Sequence, residues 1–123
     1  MENTLRDIAV QALEYLGCPL AGLYENGQNL PLRIEFTTGI ALEIFHKDEA
    51  PRIRCVMPSR VSFEHVREIF EARDEKAINA VSIHECDQQF IIERNVSEME
   101  LASVENFSEM LVELKRKAVR GIG

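Results

Sequence analysis

Two apolar runs of period two, separated by a tight link, constrain this chain more than any other feature. Leu32, Ile34 and Phe36 alternate with Arg33 and Glu35, Thr37-Thr38-Gly39 follows, and Ile40, Leu42 and Ile44 resume the alternation. Period two sends successive side chains to opposite faces, so each run reads as a strand with one face in a core. A link this short can join only antiparallel neighbours. After a polar loop from His46 to Pro51, Ile53 to Met57 is short and apolar and fits a third strand. The expectation is an antiparallel three-stranded meander.

Helical periodicity brackets these strands. Leu5, Ile8, Ala9, Ala12, Leu13 and Leu16 share one face of a first helix, with Thr4 and Asp7 as a capping pair and Gly17 as its stop. Residues 24–31, centred on Asn26-Gly27, read as turn chemistry. A second helix starts near Ser62, with Phe63, Val66, Ile69 and Phe70 as its apolar stripe, and Arg73 to Lys76 forms its polar exit. Ile78 to Glu85 and Gln89 to Val96 then read as two strands joined by Cys86-Asp87-Gln88. The last helix begins between Ser97 and Ser103 and buries Val104, Phe107, Met110, Leu111, Leu114 and Ala118. Its glutamates precede Lys115, Arg116, Lys117 and Arg120, an order that suits the helix dipole. The sum is an α+β fold in one domain over 1–123, order α-β-β-β-α-β-β-α, with helices packed on one antiparallel sheet.

Charge and composition narrow the function. Acidic residues outnumber basic ones 21 to 14, giving a net charge of −7, which opposes binding to a phosphate backbone. No apolar run reaches the roughly 20 residues that span a bilayer, and the acidic, helix-patterned start is unlike a secretory signal. Cys18, Cys55 and Cys86 are scattered and odd in number, as reduced thiols of a cytoplasmic protein would be. The expectations are no nucleic acid, no membrane insertion and a cytoplasmic location.

Little in the sequence points to catalysis. There is no Gly-rich phosphate loop and no nucleophile elbow, so no cofactor or small-molecule substrate is expected. His84, Cys86 and Asp87 come closest to a thiol–imidazole–carboxylate set, but incidental residues at a hairpin end describe them better. His65 and Glu68, one helical turn apart, could supply two metal ligands and lack a closely spaced second pair. Cys18, between Gly17 and Pro19, reads as a small apolar filler. The reading is a non-enzyme.

Apolar supply is the more telling feature. Phe45, Cys55 and Ile91 are expected opposite the apolar faces of their strands, which makes the sheet apolar on both sides. Either a greasy monomer core or a partner would account for it.

The element order resembles that of the small acidic chaperones of bacterial type III secretion. Leu5, Ala9, Leu13 and Leu16-Gly17 look like that family's first helix. Leu23-Tyr24-Glu25-Asn26-Gly27 before Leu32-Arg33-Ile34-Glu35 resembles its turn and first strand. Ala41-Leu42-Glu43-Ile44 fits the second strand, and Ser62-Phe63-Glu64-His65-Val66 the middle helix. The resemblance implies a homodimer that holds the N-terminal segment of a secreted effector in extended form, without nucleotide. It assigns effector binding to apolar patches of the first helix and sheet, namely Leu5, Ile8, Leu13, Leu32, Ile34, Leu42 and Ile44. It assigns the dimer interface to Phe63, Val66, Phe70, Asn79, Val81 and Ile83. Met57 to Val61 and Asn95 to Met99 depart from the family's pattern. They allow the alternative of a regulatory or structural protein-binding subunit of the same fold, similar to bacterial sensory regulators.

Overall fold

The computed structural model describes residues 2–17, 20–26, 29–71 and 81–122. Helix α1 (Glu2–Leu16) leads into strands β1 (Leu20–Asn26), β2 (Asn29–Phe36), β3 (Ala41–Lys47) and β4 (Ala50–Pro58). Helix α2 (Phe63–Glu71), strands β5 (Ser82–Cys86) and β6 (Gln89–Asn95), and helices α3 (Glu98–Leu101) and α4 (Val104–Ile122) complete the order. Cys18, Gly27, the exit loop at 73–76, Asn79 and the start of a strand at Ile78 lie outside the described residues.

The α+β class and the helices on an antiparallel sheet are as expected. The strands run β1-β2-β3-β4-β6-β5, every neighbouring pair antiparallel. Two elements were not foreseen. Residues 24–26 and 29–31, read as turn, belong to strands, with β1 paired along β2. The last helix is two helices, because each flanking serine caps its own. Ser97 Oγ accepts from Glu100 N at 3.2 Å while Glu100 Oε1 accepts from Ser97 N at 2.9 Å, a complete capping box for α3. Ser103 Oγ accepts from Asn106 N at 3.0 Å at the start of α4. At the other end of the chain, α1 already includes Thr4, so the helix starts ahead of the expected cap, and Gly17 ends it in the left-handed region at φ +56°.

The polar loop between the second and third expected strands shrinks to Asp48-Glu49, both at positive φ, so that His46, Lys47, Ala50 and Pro51 pair across the hairpin. Asp87-Gln88 repeats the device between β5 and β6. Two-residue turns of this hand match the twist of the strands they join.

One core lies between the sheet and the helices. Leu32, Ile34, Leu42, Ile44, Ile53, Cys55, Met57, Phe90 and Ile92 line the sheet side. Leu5, Ala9, Ala12 and Leu13 of α1 and Phe107, Met110, Leu111, Leu114 and Ala118 of α4 close it. Helix α1 packs against β2 and β3, α4 against β4, and the two helices against each other. Buried Ser108 points its hydroxyl at the carbonyl of Ala12, 3.5 Å away. At the far end of α4, a Cβ on Gly121 would stand 2.7 Å from Met57 Cε, so the glycine lets the helix close onto β4.

Cys55 corrects the expectation placed on it. It sits on the core face with Ile53 and Met57, and burial pushes its thiol up to about 12. Phe45 and Ile91 do face the opposite side, by register with Arg52 and Val56.

Candidate interaction surface

The sheet's second face carries none of the described helices, and its side chains fall into rows set by the register. The central row runs Arg33, Glu43, Arg54, Glu93 and Ser82 across β2, β3, β4, β6 and β5. Charge alternates along it, and opposite charges directly across a strand pair stabilise. Arg33 Nη1 donates to Glu43 Oε2 at 2.9 Å, Arg54 Nη1 to Glu43 Oε1 at 3.1 Å and Arg54 Nη2 to Glu93 Oε1 at 3.0 Å. Arg33 Nε also reaches Glu35 at 3.0 Å, and Arg52 Nε reaches Glu93 Oε2 at 2.8 Å. Glu93 thus accepts from two guanidiniums. Arg54 stacks on the Phe45 ring at 4.6 Å.

A second row, Ala41, Val56 and Ile91, gives the same face an apolar strip. Ala41 and Val56 are buried, although neither belongs to the core between sheet and helices. The long side chains of the charged row make this a firm, self-satisfied surface. The ladder is not legible in the sequence, because its members lie up to 60 positions apart. The only local sign was charge at alternate positions, as in Arg33-Ile34-Glu35 and Arg52-Ile53-Arg54.

Burial raises the Glu93 carboxyl, but hydrogen bonds and charge from Arg54 and Arg52 outweigh it and hold the group below its ordinary value. Glu100 behaves alike: burial raises it, and Arg94 with the Ser97 cap brings it down. Carboxylates lowered on folding stabilise fully above the unfolded value of about 4.3, and that stability drains as pH falls through the lowered folded values. Glu93→Gln should therefore lower the urea midpoint at pH 7, with the deficit against the parent chain shrinking by pH 3. Parallel denaturation curves at the two pH values check this.

The edges of the sheet differ. Strand β1 has register irregularities near each end, which blunt an edge against further pairing. Strand β5 pairs with β6 in unbroken register, and among the described residues no strand lies beyond it. Ser82, His84, Glu85 and Cys86 are exposed, and Ser-Ile-His-Glu-Cys contains neither lysine nor proline to deter pairing.

The residues assigned from the resemblance are placed differently. Leu5, Leu13, Leu32, Ile34, Leu42 and Ile44 are buried in the core and Ile8 is partly buried, so this set is not a surface patch. The reason is that α1 and α4 together cover the sheet's apolar face. Val66 and Phe70 are likewise core residues, with α2 packed on α4. Phe63 is 37% exposed and meets Phe90 ring to ring at 6.2 Å. Val81 and Ile83 are half-buried. Of the interface set, these last three remain open to a partner.

His84 and Cys86 share the outer face of β5, with Asp87 in the turn. The Asp87 carboxylate, 3.6 Å from Cys86 Sγ, raises that thiol, the reverse of nucleophile activation. His65 and Glu68 are exposed on α2, and among the described residues no three His, Cys, Asp or Glu groups converge as a metal site would require. No described helix is long and apolar enough to cross a membrane. No known protein-family model matches the chain, and no curated protein matches it.

Proposed function

We propose that this chain is a protein-binding module of the secretion-chaperone type, holding an extended segment of its partner along the free edge of β5. The edge is the observation that carries the reading: it is regular and exposed, and among the described residues no strand pairs beyond it, whereas the opposite edge is irregular. An extended segment added there gains main-chain hydrogen bonds and sets alternate side chains beside His84 on one face and Ile83 on the other. No nucleotide is needed, because binding of this kind requires no change of state. The resemblance supplies the partner, the N-terminal segment of a secreted effector held ready for export, and expects two copies of the chain in the cytoplasm.

A second reading is a regulatory or structural subunit that grips a folded partner. It is favoured by one observation, the burial of the residues to which the resemblance assigns cargo. Tagged chain recovered from its own cell, followed by limited proteolysis of the complex, separates the two. Under the first reading one short segment of the partner is protected, and Ser82→Lys with His84→Lys releases it. A partner that stays whole under protease and still binds the edge variant overturns the first reading.

A further inference from the structure

A groove of about 430 Å³ runs between the last turn of α1 and the first half of α4. Tyr15, Leu16 and Val112 form its apolar part, with Tyr15 64% and Val112 44% exposed. Glu105, Glu109 and Glu113 line the rim, and Arg116, the one cation lining the groove among the described residues, is bonded to Glu113.

The helix accounts for only part of this row of acid: Glu113 pairs with Arg116, whereas Glu109 has no such reason. The dipole favours carboxylates in the first turn, where Glu105 sits, and its influence fades beyond it. Glu109 and Glu113 lie further along, and the three stand four residues apart. Like charges at that spacing repel and weaken a helix. A basic ligand would turn the repulsion into attraction.

We infer that the groove binds a basic segment of a partner protein, one in which one or two apolar side chains are flanked by lysine or arginine. Tyr15 and Val112 receive the apolar side chains, while Glu105 and Glu109 receive the cations. The volume suits a few side chains rather than a whole helix, so recognition is of a short stretch. This site stands apart from the β5 edge and does not rest on that reading.

The probe is a synthetic peptide of about ten residues in which paired lysines alternate with paired leucines; its counterpart carries glutamate for lysine. Binding of the lysine peptide should move the amide resonances of Tyr15, Glu109 and Val112, and the glutamate peptide should move none of them. Val112→Lys, at an exposed position that tolerates the change, should weaken binding at least about tenfold, equivalent to about 1.4 kcal/mol. Glu105→Gln with Glu109→Gln should weaken it markedly more than Glu49→Gln with Glu68→Gln, which removes equal charge from exposed positions outside the groove. Equal losses from the two pairs would reveal mere attraction to a chain of net charge −7 and overturn the inference. Absence of binding, or resonance shifts centred elsewhere, would do the same.

Discussion

Leu42→Asp should abolish cooperative folding. Leu42 is fully buried in β3, facing the core between sheet and helices beside Ile34 and Cys55. Truncating such a side chain alone costs about 2–5 kcal/mol. The aspartate must also either lie buried as an unpaired charge or take up a proton in the core, adding several kcal/mol more. A domain of this size has about 5–15 kcal/mol to lose. Ile34→Asp, equally buried, should do the same. Circular dichroism on heating should show no sigmoidal transition for either variant, while Ser82→Asp at the exposed edge keeps one. A folded Leu42→Asp chain would mean that the sheet's apolar face is free after all, as a surface for cargo would have to be.

Glu93→Lys should be the most damaging change on the other face, at about 3–5 kcal/mol, the range for breaking a buried ion pair. Its side chain is only 10% exposed and is shared by Arg52 and Arg54. Lysine there would place three cations together and leave Glu43 to serve Arg54 and Arg33 alone. Glu35→Lys, at the more exposed end of the ladder, should cost under about 1 kcal/mol, as surface pairs do. Urea denaturation of the two variants should rank them in that order. Similar midpoints would mean that the row contributes as separate surface pairs.

These two faces also show what the amino-acid order revealed. Period-two apolar runs and helical stripes are local, so β2, β3, β4, α1 and the buried residues of α4 were legible. The end of β1 and the start of β2 were hidden because Asn26, Asn29 and Pro31 disfavour extended structure by themselves, and the pairing of the two strands overrides that preference. The break between α3 and α4 needed the observation that both Ser97 and Ser103 act as caps. Registers between distant strands are non-local, which concealed the row from Arg33 to Glu93; the side of Cys55 was legible locally, since period two groups it with Ile53 and Met57 of the same strand. The largest difference concerns spare apolar surface. Leu5, Leu13, Ile34 and Leu42 looked available while each element was taken alone, and became interior once α1 and α4 closed together over the sheet.

What remains after that closure is the β5 edge as a docking site. Backbone amide exchange of β5, followed with the chain alone and in complex with its recovered partner, tests it most directly. The amides between Ser82 and Cys86 that point away from β6 should exchange quickly in the free chain and become protected in the complex, with those of β1 unchanged. Unaltered exchange in β5, with protection appearing on another element, would contradict it.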